Sequence, residues 1–509
     1  MALPPHDQPD VSPSMLEAQA EGALPRDELR RRASAGIFIV MTRGVAIVLV
    51  GFGGSVALAR LLTPHDFGAV AIGMSLVLFV GMLSDGGLGA GFIRRAKAPE
   101  LEELEAVTGF QLAATIALAL VTAAVAAPFG EIGWVTALMV SSTPLVTLQL
   151  PGRILLERSL SYRRLAAVEV SQVLVYYAWA IGLVLAGLGV WGLASATIAR
   201  ATAAALVMAR VGPIGLVRPN LSWRRIRPVV GFGLRFQAVD ATFLIRNQGL
   251  NVSLGAIAGV STLGLWSLAS RLLLVPLLLL ESLFRVSFPT MSQLVAVKEE
   301  TAPLIERAVG MTTVGTGILL TGLAGSAPGL VPGVFGEQWR GTSDVMPGAC
   351  LAFAITGSVA VAAQGYLYAV GDASAVLRSA ILQTIALFAV TLPLVRFLGI
   401  SAVGLGLFVE AVVEAGVLRQ AMLKWTQVDV VRPLLVPIAS GVVSAGAGWV
   451  VADLGRADLL SGLVGGACSV SLFLAFLAVL RRKLLHETFR FAVRSMRAAG
   501  SRSAPTHAR

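Results

Sequence analysis

Residues 459–480 read LLSGLVGGACSVSLFLAFLAVL, an apolar run without a charged side chain. A helix rises 1.5 Å per residue, so about 20 apolar residues cross a hydrocarbon core of about 30 Å. A second apolar run, residues 432–452, precedes this one across a short polar turn. Two such runs in succession predict a helical hairpin in a membrane, and the preceding sequence repeats the pattern.

The same criterion, applied to all 509 residues, predicts about fourteen membrane spans. Their predicted limits are 36–60, 67–91, 105–127, 131–156, 166–187, 189–211, 229–256, 262–288, 304–333, 345–369, 373–395, 399–422, 432–452 and 459–480. Turn-forming residues stand at most boundaries, and the connections are short. The predicted fold class is therefore all-α, a polytopic membrane protein.

The composition agrees with this class, since 56% of the residues are hydrophobic, only 14% are charged and the mean hydropathy is +0.80. Soluble domains contain about 25% charged residues. These values exclude a soluble enzyme, a disordered protein and a nucleic-acid-binding domain. Cys350 and Cys468 lie in apolar runs and are too few for a disulfide framework or a zinc site.

The sequence motifs predict neither a nucleotide site nor a metal site. The phosphate-binding pattern G-x-x-x-x-G-K-[ST] is absent from the sequence. The glycine cluster at 86–91 ends an apolar run, so its predicted role is close helix packing. None of the four histidines falls in a predicted span. We therefore expect no cofactor, no metal and no enzymatic activity.

The net charge of +11 is distributed unevenly over the predicted topology. With a cytoplasmic N-terminus, about 31 of the 40 lysines and arginines fall on the cytoplasmic side, about 4 on the opposite side and about 5 within spans. This positive-inside bias predicts that both termini are cytoplasmic. The charge then faces anionic lipid, and no nucleic-acid partner is expected.

The first six spans resemble the next six in hydropathy layout, which predicts a two-lobed transporter with two added helices. The predicted division is a cytoplasmic polar N-terminus (1–34), an N-lobe (35–211), a basic cytoplasmic linker (212–228), a C-lobe (229–424), two further spans (425–480) and a basic cytoplasmic tail (481–509). In the tail, Phe489 and Phe491 alternate with arginines. That pattern indicates either a helix on an anionic membrane surface or a solvated tail.

Several ionisable residues fall inside predicted spans, where each charge costs about 2.5–3.5 kcal/mol on insertion scales. They are Arg43, Arg200, Arg235, Arg246, Arg271, Asp85, Glu169, Asp240, Glu281, Glu410 and Glu414. One interpretation is a water-filled cavity whose arginines bind a phosphate or pyrophosphate bidentately. The alternative is a set of interhelical ion pairs, such as Arg246 with Asp85 or Arg271 with Glu281.

Motifs in both halves of the chain resemble those of one transporter family. They are Ala59-Arg60-Leu61-Leu62-Thr63-Pro64-His65-Asp66-Phe67-Gly68, Ser84-Asp85-Gly86-Gly87-Leu88-Gly89, Ile93-Arg94-Arg95, Gly189-Val190-Trp191-Gly192-Leu193, Leu263-Gly264-Leu265-Trp266, Phe288-Pro289 and Gly336-Glu337-Gln338-Trp339. From the first span to the last, the chain resembles the oligosaccharide flippases. These are the Wzx-like polysaccharide transporters of the multidrug/oligosaccharidyl-lipid/polysaccharide exporter superfamily.

The resemblance implies two six-helix lobes around a central cavity that opens alternately to each side, followed by two C-terminal helices. It implies a substrate, an undecaprenyl-pyrophosphate-linked oligosaccharide that moves from the cytoplasmic to the outer leaflet of the bacterial inner membrane. The product would serve exopolysaccharide, capsule or O-antigen biosynthesis. Its partners would be this polyprenyl-pyrophosphate-linked oligosaccharide and membrane lipid, and contact with other polysaccharide assembly proteins stays open.

Candidate site residues follow from the interior charges and from the resemblance. The predicted substrate-binding residues are Arg43, Arg246, Arg235, Arg271, Asn247 and Asn251. The predicted coupling or gating residues are Asp85, Asp240 and Glu410. Relatives often have Arg-Asn-x-Asp-Asn in the seventh span, whereas this sequence reads RNQGLN over 246–251 and lacks the acidic residue.

Two points about function stay open at this level. Transport could be driven by the membrane potential, worth about 2.3 kcal/mol per charge per 100 mV, or by a coupled ion. The alternative functions are a drug or small-molecule exporter of the same superfamily, a membrane glycan polymerase or ligase, and a scaffold. Arginines within spans disfavour an exporter of cations, and the short outer loops disfavour an enzyme.

Overall fold

The computed structural model describes residues 26–88, 92, 99–274, 276–277, 280, 302–426, 428–455 and 458–502. Several predicted features lie outside these residues: Glu281, the motifs Ile93-Arg94-Arg95 and Phe288-Pro289, and the first 25 residues. Arg235 and Asp240 lie on a described helix, but their side chains are not among those described.

Seventeen α-helices are present in the described part of the chain. They are α1 Arg26–Leu61, α2 Pro64–Asp85, α3 Leu101–Ala126, α4 Gly130–Val140, α5 Thr143–Thr147, α6 Leu150–Arg158, α7 Tyr162–Leu185, α8 Gly189–Val211, α9 Trp223–Ala258, α10 Val260–Leu274, α11 Ala302–Phe335, α12 Met346–Ala369, α13 Ala373–Leu398, α14 Ser401–Met422, α15 Arg432–Leu454, α16 Leu459–Leu480 and α17 Arg482–Arg502. A 3-10 helix, Glu337–Val345, joins α11 to α12.

By length and composition, eleven segments of the described chain could cross a membrane, fewer than the fourteen spans predicted. Residues 101–147 count as one of these segments, although they contain α3 followed by α4 and α5. Helix α9 is not counted; its sequence contains Arg235, Asp240 and Arg246. Helix α10 is too short over its described residues, because the predicted span 262–288 runs beyond them.

The described helices differ most clearly from the predicted limits over residues 131–156 and at the start of α1. The predicted span 131–156 is divided into α4, α5 and α6, with Pro144 and Pro151 in the first turns of α5 and α6. Proline has no backbone N–H to donate, so each marks a helix start. Helix α1 begins at Arg26, so part of the polar segment predicted as 1–34 is helical.

Large apolar side chains cover the outside of the helix bundle. Phe397 is 83% exposed, Leu454 83% and Val479 82%, and each lies near the end of a long apolar helix. Water would penalise so much exposed apolar surface, whereas lipid does not. The protein is therefore a multi-pass membrane protein.

The helices pack in two groups. Helices α7 and α8 lie along each other, α1 packs on α7, and α2 and α3 contact α4. Helix α14 packs between α12 and α13, while α15 and α16 pack on α11. Helix α9 contacts α2 and α3 of the first group and α13 of the second. We call α1–α8 the N-terminal helices and α9–α16 the C-terminal helices.

Candidate functional site

A cavity of about 400 Å³ lies between the N-terminal and C-terminal helices. Its walls come from α1, α2, α7 and α8 on one side and from α10 and the end of α11 on the other. The polar lining residues are Ser55, Gln172, Tyr176, Tyr177, Arg200 and Arg271. The other lining residues are apolar or glycine, so the polar groups stand in a low-dielectric surrounding, where their interactions with a ligand are stronger.

Arg271 is fixed in this cavity by contacts with neutral groups. Its Nη1 donates to Ser55 Oγ at 2.8 Å, and Ser55 Oγ lies 3.1 Å from the Tyr177 hydroxyl. Its Cζ lies 5.2 Å from the centre of the Phe67 ring, a cation–π distance. These contacts orient the guanidinium, and each of them is with a neutral group.

Arg200 approaches the cavity from the N-terminal helices. Its Cζ lies 5.6 Å from the ring centre of Tyr176. Within the described ranges, neither Arg200 nor Arg271 forms an ion pair with a carboxylate. Two guanidinium groups with neutral partners give the cavity a positive charge, which suits an anion with several oxygens.

Contacts that we call the latch join the end of α1 to the end of α11 and to the 3-10 helix that follows it. They are formed by Ala59, Arg60, Gly333, Val334, Gln338 and Trp339. Arg60 donates to the carbonyl oxygens of Val334 at 2.8 Å and Gly333 at 2.7 Å, near the C-terminus of α11. A cation is favoured there because these carbonyls lack helical partners. Gln338 and Trp339 donate to the Ala59 carbonyl at 3.0 and 2.8 Å.

Aromatic and glycine packing adds further contacts between the two helix groups beside the latch. Trp339 is fully buried, and its ring meets the edge of Phe67 with centroids 4.8 Å apart. Helices α2 and α10 cross so closely that a Cβ on Gly264 would overlap the carbonyl oxygen of Pro64. The latch therefore joins the N-terminal and C-terminal helices at the end where α1 and α11 terminate.

Arg246 lies away from this cavity and pairs with Glu410. Its Nε donates to Glu410 Oε1 at 2.9 Å, its Nη2 contacts the same oxygen, and its Nη1 donates to Asn247 Oδ1 at 2.8 Å. One turn further along α14, Glu414 accepts from Gln364 Nε2 at 3.0 Å. Both carboxyl groups are buried, and among the described residues the second oxygen of each has no hydrogen-bond partner.

Arg43 is also paired. Its Nη1 lies 2.7 Å from Glu169 Oε2, so the charge of Arg43 is balanced by a neighbouring helix. Arg153 lies 3.9 Å from the other oxygen of Glu169 and 2.9 Å from Glu157. This network ties α1, α6 and α7 together.

The remaining predicted residues lie in other polar contacts. Asn251 donates to Gln248 at 3.0 Å and to Ser75 at 3.4 Å, and it accepts from the Trp266 indole at 3.1 Å. Asp85 accepts from Gln111 Nε2 at 3.0 Å rather than from Arg246. The structure thus places Arg271 in the cavity and places Arg43, Arg246, Asn247, Asn251, Asp85 and Glu410 in other contacts.

The sequence does not predict the other polar cavity residues as parts of a binding site. It identifies Arg200 only as a charge inside a span, and it gives no prediction for Ser55, Gln172, Tyr176 and Tyr177. A signal for Gln172 and Tyr176 exists, because they are four residues apart and share a face of α7. Hydroxyl and amide groups are common in membrane helices, so this signal is weak.

A profile of the family described as polysaccharide biosynthesis protein matches residues 57–344, more than half of the chain. The chain belongs to this family. The predicted resemblance to Wzx-like transporters is confirmed. The protein is a multi-pass membrane protein of this polysaccharide biosynthesis family.

Two relatives agree with this assignment. The chain is similar to the succinoglycan biosynthesis transport protein ExoT of Rhizobium meliloti, with 26% identity over 295 residues that cover 55% of this chain and 58% of ExoT. It is 25% identical to the lipopolysaccharide biosynthesis protein WzxC of Escherichia coli over 342 residues, which cover 64% of this chain and 67% of WzxC. The match to ExoT thus spans less than two thirds of that protein.

Solved structures show a similar fold. The family member aligns with the lipid II flippase MurJ in an inward closed conformation at a TM-score of 0.68 and 12% identity, covering 87% of this chain and 100% of the other. It aligns with an inward-facing multidrug resistance MATE family transporter of the MOP superfamily at a TM-score of 0.57 and 16% identity, covering 74% and 94%. At these identities the likeness concerns the fold alone.

Proposed function

We propose that the protein moves an undecaprenyl-pyrophosphate-linked oligosaccharide from the cytoplasmic to the outer leaflet of the bacterial inner membrane. The observation that supports this most directly is the cavity between the two helix groups, in which Arg200 and Arg271 have no carboxylate partner among the described residues. A guanidinium pairs with phosphate oxygens through two parallel hydrogen bonds, so Arg200 and Arg271 would bind the pyrophosphate. The neutral groups of Ser55, Gln172 and Tyr177 would contact sugar hydroxyls.

The latch supports alternating access. We propose fourteen membrane crossings in two six-helix lobes plus two C-terminal helices, with both termini in the cytoplasm, as the charge bias indicates. In that orientation the latch lies on the outer side, and the described conformation is closed outward. Release of the substrate would then require Arg60 and Trp339 to leave their carbonyl partners.

The driving force has two candidates within this proposal. Outward movement of about two negative charges would gain about 4–5 kcal/mol per 100 mV of membrane potential. The buried pair of Arg246 and Glu410, with Glu414 one turn away, is the candidate for ion coupling. A transport rate that changes with the membrane potential while the ion gradients are held fixed would favour the membrane potential as the driving force.

A reconstituted flipping assay tests the proposal. The purified full chain is placed in vesicles with a fluorescent polyprenyl-pyrophosphate oligosaccharide, and leaflet transfer is followed by quenching from one side. Hydrogen bonds to charged groups contribute about 1.5–3 kcal/mol, so Arg271→Ala and Arg200→Ala should each slow transfer roughly ten-fold or more. Arg378→Ala, at an exposed arginine of α13, is the matched control.

Two results would contradict this function. If the native protein and both cavity variants transfer the lipid at the same rate, the two arginines do not bind the substrate. Failure of the native protein to move the lipid-linked sugar, together with extrusion of a cationic dye, would favour the drug exporter. In cells, deletion should cause complete, unpolymerised lipid-linked repeat units to accumulate and surface polysaccharide to be lost.

A further inference from the structure

The last helix, α17, is basic on one side and apolar on the other. At 100° per residue, Leu485 and Phe489 fall about 40° apart on one side of the helix. Lys483, Arg490 and Arg494 fall within about 40° of one another, centred about 140° from that pair. A helix with this division is typical of one that lies in the plane of a membrane surface.

The beginning of α17 is fixed to the transporter. Helix α16 ends at Leu480, and the chain turns at Arg481, whose φ of −141° and ψ of 45° are not helical. Leu484 and Leu485 pack against Val314 and Phe473. These contacts hold α17 where α16 leaves the apolar layer.

An ion pair adds to this anchor. Arg307 Nε on α11 lies 3.1 Å from Glu487 Oε2 on α17. The position of α17 is thus determined by two transmembrane helices, and the helix is not a free tail.

Beyond the anchor, the described structure does not cover the apolar side of α17. Phe489 is 47% exposed. Val479, the residue before the last one of the apolar α16 helix, is 82% exposed. A bilayer that covers Val479 ends near the start of α17, so Phe489 lies at the depth of the lipid headgroups, where the apolar side of an interfacial helix inserts.

We propose that α17 is a docking surface for anionic phospholipid, with Phe489 inserted at the interface and Lys483, Arg490 and Arg494 paired with headgroup phosphates. The occupant is chosen by charge complementarity: the exposed end of α17 is basic, and anionic lipid attracts basic segments next to a membrane span. A solvated helix would give no reason for an exposed phenylalanine next to a span end, on the side away from the basic residues. The proposal does not depend on the identity of the transported substrate.

The test uses the full chain in lipid nanodiscs, with Cys350 and Cys468 replaced by alanine. A nitroxide is attached through Phe489→Cys or, on the polar side, through Arg494→Cys. Its accessibility to a water-soluble nickel relaxer is measured with phosphatidylcholine alone and with phosphatidylglycerol added. The label at position 489 should become shielded as phosphatidylglycerol is added, while the label at position 494 stays accessible.

Charge variants identify the interaction. Arg490→Glu combined with Arg494→Glu should raise the phosphatidylglycerol fraction needed for half-maximal shielding at position 489 by roughly ten-fold or more. Arg378→Glu with Arg396→Glu, on α13, is the matched control and should leave it unchanged. If the double glutamate variant does not fold, Arg490→Gln with Arg494→Gln replaces it.

Three results would overturn the proposal. Equal accessibility at positions 489 and 494 in both lipids would show a solvated helix. Shielding at position 489 that does not depend on phosphatidylglycerol would show that the anionic headgroup takes no part in the interaction. Shielding that occurs in native membranes and is absent from every nanodisc would identify a protein partner instead.

Discussion

Arg246 and Glu410 form an ion pair between α9 and α14 in which Glu410 is 4% exposed. Removal of one partner from a buried pair costs about 3–5 kcal/mol, whereas apolar replacement of both is often neutral. We therefore expect Arg246→Met and Glu410→Leu each to lower the melting temperature of the purified protein, and the double variant to recover most of the loss. Arg340→Met, which breaks the exposed pair with Glu337, is the control with little effect.

Transport by the double variant separates a structural pair from a coupling site. A stable double variant that flips substrate at the native rate would contradict coupling through Glu410. A stable double variant that no longer transports against an ion gradient would support it. The melting temperature is needed alongside, because an unfolded variant gives the same loss of transport.

The interior charges could be found from sequence, but their partners could not. Arg246 stands out because charge is rare in an apolar run, and the ion-pair interpretation anticipated a helix-to-helix contact. The predicted partner, Asp85, was nevertheless different from Glu410, which lies 164 residues from Arg246. Hydropathy gives the depth of a residue in the membrane, whereas pairing depends on which faces of distant helices meet.

At the scale of a single element, the start of α13 depends on Asp372. Asp372 Oδ1 accepts from the Ser374 hydroxyl at 2.7 Å and from the Ala375 backbone at 3.2 Å, and Oδ2 accepts from the Trp425 indole at 3.3 Å. Hydrogen bonds from Ser374 and Trp425 lower the pKa of Asp372, which lies between two spans. The carboxylate caps α13 and links it to the segment after α14.

The sign of the pH dependence follows from that lowered pKa. The Asp372 carboxylate stabilises the folded protein at pH values above its unfolded-state pKa of about 4. This stabilisation is lost as the pH falls through the lower pKa that Asp372 has in the folded protein. Asp372→Ala should therefore melt at a lower temperature than the native protein at neutral pH, and the difference should narrow below about pH 4. Asp453→Ala, at an exposed aspartate near the end of α15, is the control. A melting-temperature difference between Asp372→Ala and the native protein that stays the same at all pH values would contradict the prediction.

Most helix limits could be predicted because apolar length is a strong signal. The predicted span 432–452 corresponds to α15, Arg432–Leu454, and the predicted span 459–480 to α16, Leu459–Leu480. The predicted span 131–156 failed because a sum of hydropathy does not register the breaks after α4 and α5, where Pro144 and Pro151 stand in the first turns of the helices that follow. Composition thus locates apolar segments, while backbone chemistry decides where each helix breaks.

At the scale of the whole molecule, the latch brings together motifs from both halves of the sequence. Ala59 and Phe67 belong to the first-loop motif, and Gln338 and Trp339 belong to the motif after α11, yet the two motifs are in contact. The sequence pointed to each motif separately through resemblance. Their contact could not be predicted, because it depends on how α1 and α11 are placed across the cavity.

Alternating access predicts that the latch opens more often when a larger side chain is placed at the helix crossing beside it. Gly264 lies on α10 against the Pro64 carbonyl, so the methyl group of Gly264→Ala forces α2 and α10 apart. Gly81→Ala is the matched control, because a Cβ at Gly81 meets no neighbouring atom within 4 Å. The reporter is Ala59→Cys, since Ala59 is fully buried beneath Gln338 and Trp339 in the latch.

Modification of this cysteine by a membrane-impermeant maleimide in intact cells reports opening on the outer side. If the added methyl destabilises the closed form by about 1.4 kcal/mol, the modification rate should rise about ten-fold in the Gly264→Ala background. It should not change in the Gly81→Ala background. An unchanged rate in both backgrounds would mean that the two helix groups do not separate at the latch, and alternating access through this end would then have to be abandoned.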